Sequence, residues 1–252
     1  MKQEIMLTDK IALITGGGTG LGLAIAREMS EMGATVVLVG RRQEILDKAC
    51  QELGAHAHAI RADITDFDAL PALVTQVEQS FGPIDILVNN AGIQVRRPMD
   101  EFVPDDFLSL YKTHGVAAFM LTQAVAQGMK ARGQGSIIFI SSLSTVIGMT
   151  MLQPYTMAKS AVAGLVRSLA NELSPHGVRV NSLNPGFVDT DMLRYSNSIE
   201  PGREAKILGR TPMGRMAEPK EIGMAAAFLA SDAASFITGI DLKVDGGLTS
   251  VF

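Results

Sequence analysis

A tyrosine and a lysine four residues apart, Tyr155 and Lys159, could together carry out acid–base chemistry. On the helix that Pro154 opens, this spacing places both side chains on one face and in neighbouring turns. A free phenol has a pKa of about 10, but an ammonium group a few ångströms away favours the phenolate. The pair therefore predicts a general acid/base, Tyr155, whose pKa Lys159 lowers. Taken alone, the same two residues are more simply explained as neighbours on an exposed helix surface.

A glycine-rich turn follows a short apolar segment, Ile11–Thr15, and leads into an amphipathic segment. Backbone N–H groups at the amino terminus of a helix bind anions, and glycine allows a ligand to approach the backbone closely. We therefore predict a dinucleotide-phosphate site that contains Gly16, Gly18, Thr19, Gly20, Leu21 and Gly22. The alternative is a tight strand–helix connection that binds nothing.

Two arginines, Arg41 and Arg42, stand at the end of the second predicted strand, where an NAD-specific site has an acidic residue for the ribose 2′-hydroxyl. A carboxylate would repel a 2′-phosphate, whereas a guanidinium binds one through two hydrogen bonds. Arg41 therefore predicts that NADP(H) is preferred over NAD(H). Both arginines could instead be the solvated start of the next helix.

The hydrophobic pattern alternates between short apolar runs and longer amphipathic windows, which is typical of βαβ units. Strands are predicted at 11–15, 35–39, 57–62, 84–88, 136–140, 178–183 and 242–244. Helices are predicted at 21–32, 43–53, 69–81, 105–131, 154–173 and 221–230. The expected fold class is α/β: a doubly wound Rossmann-type sandwich, with a seven-stranded parallel sheet and helices on both faces.

A single domain is expected over residues 1–252, and its one long gap between predicted elements runs from Asp189 to about Pro219. The gap is basic, although the whole chain is acidic. Because connections of this length are usually functional, we predict a substrate lid at about 190–218. A solvated loop with dispersed charges is the alternative.

The composition of the chain excludes several classes of function. It has 252 residues, of which 47% are hydrophobic and 19% charged, and a formal net charge of -4. This is a folded rather than a disordered composition, and it lacks the basic field that draws proteins to nucleic acid. Cys50 is the only cysteine and the four histidines have no ligand spacing, so we expect no metal site and a cytoplasmic protein. No apolar segment is long enough to predict a signal peptide or a membrane span.

Three further motifs complete a recognisable set. Asn89-Asn90-Ala91-Gly92 follows the fourth predicted strand, Ser142 lies thirteen residues before Tyr155, and Pro185-Gly186 leads to Val188 and Thr190. Together with the glycine turn, these motifs resemble the short-chain dehydrogenase/reductase family in order and spacing over the whole chain.

The resemblance implies a hydride transfer between a nicotinamide and a secondary alcohol or ketone. It gives Tyr155 the proton transfer, Ser142 a hydrogen bond to the reacting oxygen, and Lys159 a second role on the nicotinamide ribose. It also implies a homotetramer. Further cofactor contacts are expected from Asp63, Ile64, Asn89, Ala91, Gly92, Pro185, Gly186, Val188 and Thr190.

One position departs from the family pattern. Where members usually carry an asparagine that helps to hold a proton-relay water, the alignment places His114. An imidazole also donates and accepts hydrogen bonds and titrates near neutral pH. We therefore predict that His114 replaces the asparagine, by holding the water or by taking up the proton; the alternative is a disabled relay.

The substrate side resembles the sugar-acid branch of the family, which favours a sugar acid or a polyol as substrate. Arginines could bind a carboxylate, and hydroxyl and amide groups could bind substrate hydroxyls. The candidate residues are Arg96, Arg97, Ser144, Gln153 and Arg194. Surface salt bridges would explain the arginines equally well. A 3-oxoacyl-thioester reductase and a non-catalytic nucleotide-binding regulator remain as alternative functions.

Overall fold

The computed structural model of the protein describes residues 4–198 and 200–250. Within them, seven strands form one parallel sheet in the order β3-β2-β1-β4-β5-β6-β7. The strands are β1 (Ile11–Thr15), β2 (Thr35–Gly40), β3 (Ala57–Arg61), β4 (Ile84–Asn89), β5 (Gly135–Ile140), β6 (Val178–Pro185) and β7 (Asp241–Val244). The predicted fold class is confirmed, and the sequence placed each strand to within two residues.

Nine α-helices are described in the same residues. They are α1 (Gly20–Glu31), α2 (Gln43–Leu53), α3 (Leu70–Phe81), α4 (Pro104–Tyr111), α5 (Ala118–Arg132), α6 (Gln153–Leu173), α7 (Asp191–Ser198), α8 (Arg203–Arg210) and α9 (Pro219–Ala230). None of the described helices is long and apolar enough to cross a membrane.

The helices cover both faces of the sheet, so each central strand is buried on two sides. Alternate residues of β1 point to opposite faces: Leu13 belongs to the core under α3, α5 and α6, and Ile14 to the core under α1, α2 and α9. Burial on both faces explains why the strands are continuous apolar runs and not alternating ones.

The predicted helix at 105–131 is wrong in one respect. The chain forms α4, then a π-helical segment Lys112–Ala117, and then α5. Such a segment accommodates an extra residue within a helix and is often found at functional sites. Here the segment carries the buried His114. It could not be predicted, because one extra residue in a helical turn hardly changes the hydrophobic pattern.

The stretch from 189 to 219, predicted to lack regular elements, contains two short helices, α7 and α8, so the prediction of a gap is wrong there. Ile207 on α8 is buried, which gives the helix a packed face. The two ends of the segment are joined, since the Ala217 N–H donates to the Phe187 carbonyl and the Asp189 N–H donates to the Ala217 carbonyl, both at 2.9 Å. Residues 190–216 therefore leave the sheet and return at one place.

The strand order reverses at β1, which has β2 on one side and β4 on the other. In open α/β sheets the crevice at the carboxyl ends of such strands is where ligands bind. The fold thus brings the glycine turn after β1 and the Asn89-Asn90 segment after β4 to one crevice.

Close packing of α1 against α9 gives a test of this fold. A Cβ atom on Gly223 would lie 2.7 Å from the Ala24 carbonyl oxygen and 2.6 Å from Glu28 Cγ. Gly223→Ala should therefore lower the free energy of unfolding by about 1–3 kcal/mol, measured by urea denaturation. Gly209→Ala on α8, where a Cβ meets no atom within 4 Å, is the matched control and should not destabilise. Equal urea midpoints for Gly223→Ala and the unmodified protein would contradict the packing.

Candidate active site

The glycine turn presents open backbone at the amino terminus of α1. Gly16 and Gly20 have φ values of 64° and 55°, which glycine adopts most easily. A Cβ on Gly22 would lie 2.2 Å from the Gly16 carbonyl oxygen, whereas one on Gly20 would meet no atom within 4 Å. The turn is thus closed on its inner side and open on its outer side, which fits an approaching pyrophosphate group.

Thr15 and Asn90 brace this turn. The Thr15 hydroxyl donates to the Val88 carbonyl at 3.2 Å and accepts from the N–H groups of Asn90 and Ala91, both at 3.0 Å. Asn90 Nδ2 donates to the carbonyls of Thr15 at 2.9 Å and Gly16 at 3.2 Å. These bonds fix the carboxyl ends of β1 and β4 relative to each other.

Asn90 was not among the residues predicted for the cofactor site, whereas its neighbour Asn89 was. The Asn89 side chain is buried and its Nδ2 donates to Thr122 Oγ1 on α5 at 2.9 Å, so it braces the sheet against a helix. The alternation of side chains at the end of a strand could have indicated that only one of the two asparagines faces the turn.

Arg41 and Asp63 follow the neighbouring strands β2 and β3. The Arg41 side chain is exposed, and no ion pair with another described residue engages it. Asp63 Oδ1 accepts hydrogen bonds from the Thr65 N–H at 2.9 Å and the Thr65 hydroxyl at 2.8 Å. The Thr65 backbone bond is the main cause that lowers the pKa of Asp63, with the charge of Arg41 adding to it. Ile64, between Asp63 and Thr65, is buried.

The catalytic candidates Ser142 and Tyr155 are brought together by β5 and α6. Ser142 follows the end of β5, and Tyr155 lies in the first turn of α6. Burial raises the pKa of Tyr155, and a hydrogen bond with the Ser142 side chain offsets this only in part. Ser142 Oγ also accepts from the Ser144 N–H at 3.1 Å. Ser141, the neighbour with which Ser142 could be confused, has its hydroxyl buried without a partner among the described residues.

Lys159 is buried one turn further along α6. Its Nζ donates to the Ile140 carbonyl at 2.6 Å and lies 5.7 Å from the centroid of the Tyr155 ring. Burial lowers the pKa of Lys159 to about 7. In the chain by itself, desolvation disfavours the phenolate and the ammonium group alike. That Lys159, together with the positive charge of an oxidised nicotinamide, lowers the pKa of Tyr155 stays a prediction.

His114 lies against the same tyrosine. Its ring meets the Tyr155 ring edge-on, with centroids 5.4 Å apart, and its Nε2 lies 2.7 Å from the Ile93 carbonyl oxygen and 3.3 Å from the Ile93 nitrogen. Burial, and then the charge of Lys159, lower the pKa of His114 to about 3. The imidazole is therefore neutral near pH 7, and its Nε2 lies against the Ile93 backbone. Its role in the proton relay, by holding the water or by taking up the proton, stays a prediction.

The Pro185–Thr190 segment leads from β6 towards α7. A Cβ on Gly186 would lie 2.6 Å from Asp245 Cα, so only glycine fits at this crossing. Val188 is buried, and Thr190 Oγ1 accepts from the Leu193 N–H at 3.4 Å at the start of α7. The segment thus runs past the carboxyl edge of the sheet, where the other cofactor candidates lie.

The predicted substrate residues are placed unevenly. Arg96 pairs with Glu200 at 2.7 Å, Arg97 with Asp106 at 3.5 Å and Arg194 with Asp189 at 2.7 Å. Ser144 is buried with its hydroxyl unpartnered among the described residues, and Gln153 is exposed at the start of α6. All three arginines form surface salt bridges, which was the alternative explanation for them. Their role in substrate binding therefore stays a prediction.

A braced glycine turn at the strand-order reversal, beside a desolvated Ser142–Tyr155–Lys159 group, defines a nicotinamide-dependent oxidoreductase of the Rossmann type. Comparison with known proteins agrees: a family model described as enoyl-(acyl carrier protein) reductase matches residues 16–249. The chain belongs to the short-chain dehydrogenase/reductase family.

Its relatives include enzymes of sugar acids and polyols. Gluconate 5-dehydrogenase from Gluconobacter oxydans is 41% identical, and galactitol 2-dehydrogenase (L-tagatose-forming) from Cereibacter sphaeroides is 42% identical, each over 96% of both chains. The crystal structure of a gluconate 5-dehydrogenase from Burkholderia cenocepacia, in complex with NADP and tartrate, is similar at a TM-score of 0.94. It is 37% identical and covers 100% of this chain and 99% of that one.

The depressed pKa of His114 gives a pH-dependent test. In the unfolded chain a histidine binds its proton below about pH 6.5, but folded His114 binds one only near pH 3, so folding loses stability as the pH falls between these values. Between pH 6.5 and 4.5 the unfolding free energy of the unmodified protein should fall by about 2–3 kcal/mol more than that of His114→Asn. Urea unfolding at a series of pH values measures this. If the unfolding free energies of the two proteins fall equally with pH, the neutral imidazole is contradicted.

Proposed function

We propose that this protein transfers hydride between the nicotinamide of NADP(H) and a secondary alcohol or ketone of a sugar acid or polyol. The observation that carries the proposal is the buried Tyr155, hydrogen-bonded to Ser142 and with Lys159 Nζ 5.7 Å from its ring centroid. The similarity to gluconate 5-dehydrogenase and galactitol 2-dehydrogenase supports this substrate class.

The residues of this site divide the proton chemistry between them. Oxidised nicotinamide, when bound, supplies the hydride acceptor and a positive charge, which favours the phenolate that burial alone disfavours. Tyr155 takes the substrate hydroxyl proton during oxidation and returns it during reduction, while Ser142 donates a hydrogen bond to the reacting oxygen. Lys159, with a pKa of about 7, can hold or release a proton next to the tyrosine. His114 keeps Ile93 beside them.

Preference for NADP(H) follows from Arg41. Arg41 follows β2, and its exposed guanidinium forms no ion pair with another described residue, so it is available for a 2′-phosphate. Two similar structures, from Burkholderia cenocepacia and Beutenbergia cavernae, contain NADP.

A charge reversal tests the cofactor preference. Arg41→Asp should weaken NADPH binding about 10- to 100-fold, because charge-assisted hydrogen bonds to the phosphate are replaced by repulsion, while NADH binding holds or improves. Cofactor fluorescence titration measures both. Arg42→Asp is the matched control at the neighbouring exposed position. An unchanged preference in Arg41→Asp would show that Arg41 does not read the phosphate.

Removal of the phenol tests the reaction. We expect NADP+-dependent oxidation of a compound from a panel of gluconate, galactitol and related acids and polyols, and Tyr155→Phe should lower kcat by about 10²- to 10⁴-fold. NADPH affinity should change little. The control is Tyr111→Phe, which removes the hydroxyl of an exposed tyrosine. Undiminished turnover by Tyr155→Phe would contradict the proposed role.

Adding a 3-oxoacyl thioester to this panel separates the two alternative functions. A 3-oxoacyl-[acyl-carrier-protein] reductase from Vibrio cholerae is 34% identical, below the 41% of the gluconate enzyme, so a 3-oxoacyl thioester is the second candidate substrate. Turnover of the thioester alone would favour it. NADPH binding with no turnover of any compound would favour a regulator.

The assembly and the lid are also part of the proposal. Leu108 and Tyr111 on α4 and Met157 on α6 are exposed apolar or aromatic side chains, as expected at a subunit contact, and we infer a homotetramer in the cytoplasm. Residues 190–218 would act as the lid of a single domain. The net charge of -4 gives no support for nucleic acid as a partner.

A further inference from the structure

We propose that Arg96 and Arg203 form a binding site for the carboxylate of an acidic substrate, and that Glu200 of the lid is an internal competitor for it. This inference rests on the proposed function and assigns its substrate selectivity to two lid residues and one residue of the loop after β4. The juxtaposition is non-local, since Arg96 follows β4 whereas Glu200 and Arg203 lie between α7 and α8 and at the start of α8.

One carboxylate oxygen is shared by the two guanidinium groups. Arg96 Nη2 donates to Glu200 Oε2 at 2.7 Å, and Arg203 Nη1 donates to the same oxygen at 2.9 Å. Two positive charges therefore face one negative charge, and the Arg203 Nε–H is buried without a hydrogen-bond partner among the described residues. A guanidinium has five N–H donors, so the pair has capacity for another anion.

Burial differs between the acid and the two bases. The Arg203 side chain is 13% exposed and that of Arg96 20%, whereas the Glu200 side chain is 48% exposed. The two arginine side chains are thus held where the loop after β4 meets the lid, while the Glu200 side chain can rotate towards solvent. Because an arginine left unpaired in such a place is unfavourable, exchange of one carboxylate for another is the easiest way to release Glu200.

The loop that carries Arg96 is connected to residues around Tyr155. His114, whose ring contacts Tyr155, holds Ile93 through the 2.7 Å contact with its carbonyl. Arg96 is three residues further along, which is at most about 10 Å of extended chain. The backbone of the next residue, Arg97, donates to the Met151 carbonyl at 3.3 Å, four residues before Tyr155. The loop that carries Arg96 is therefore held on one side by His114, which contacts Tyr155, and on the other by the chain that leads into α6.

Selectivity between acids and neutral polyols follows from this competition. An acidic substrate must displace Glu200 and then binds both arginines, whereas a polyol gains no interaction from the displacement.

Glu200→Gln keeps the shape of the side chain but removes the competing charge, so it should lower KM for gluconate about 3- to 10-fold with little change in kcat. Arg203→Gln should raise KM for gluconate at least 10-fold. KM for galactitol should change less than 2-fold in both variants.

The experiment compares these variants with Glu204→Gln, which neutralises an exposed acid on α8. Steady-state kinetics on gluconate and galactitol are combined with calorimetric titration of gluconate into the NADP+-saturated protein, which reports acid binding without turnover. Opposite shifts of the gluconate constants in Glu200→Gln and Arg203→Gln, with galactitol unaffected, support the inference.

Two results would overturn it. Equal changes for gluconate and galactitol would mean that Glu200 only anchors the lid, and the proposed oxidoreductase would still stand. Gluconate affinity that is the same in Arg203→Gln as in the unmodified protein would remove the carboxylate site. If no compound is turned over at all, the proposed function fails by itself, and the calorimetric titration still decides whether Arg203 and Glu200 govern acid binding.

Discussion

Desolvation at the carboxyl ends of β4 and β5 is the constraint on which the chemistry of this protein depends. It raises the pKa of Tyr155, lowers that of Lys159 to about 7 and lowers that of His114 to about 3. All three groups are thereby moved towards their neutral forms. The chain alone builds a nearly uncharged pocket, in which any charge brought by a ligand acts with little screening by water.

The rigidity of that pocket comes from hydrogen bonds between strands that are distant in sequence. Thr15 and Asn90 tie β1 to β4, and Lys159 ties α6 to the last carbonyl of β5. His114 adds a fourth tie, from the π-helical segment to Ile93. Because each bond joins two different elements, the positions of the reacting groups are set by the sheet as a whole, as precise catalysis requires.

The sequence predicted the parts of this arrangement that depend on local pattern. The strands were found because burial on both faces produces continuous apolar runs, and Tyr155 and Lys159 because helical periodicity places them on one face. The π-helical segment around His114 was missed, since one extra residue in a turn leaves the hydrophobic spacing almost unchanged. Helices α7 and α8 were missed because they are short and rich in charged and polar residues. The direction of the Tyr155 pKa shift depends on how much water the fold removes from the side chain. The pairing of Arg96 with Glu200 spans more than a hundred residues. Neither property can be predicted from the spacing of residues in the sequence.

The joined ends of the segment 190–216 separate two kinds of change that this fold can undergo. Since Ala217 is paired with Phe187 and Asp189, the two ends of the segment are held together independently of the residues between them. The entropic cost of closing a loop grows only slowly with its length, so an insertion at an exposed position of this segment should cost little free energy of folding. If this segment is the substrate lid proposed above, substitutions in it change substrate selectivity while the strands that carry the glycine turn and Ser142 keep their positions.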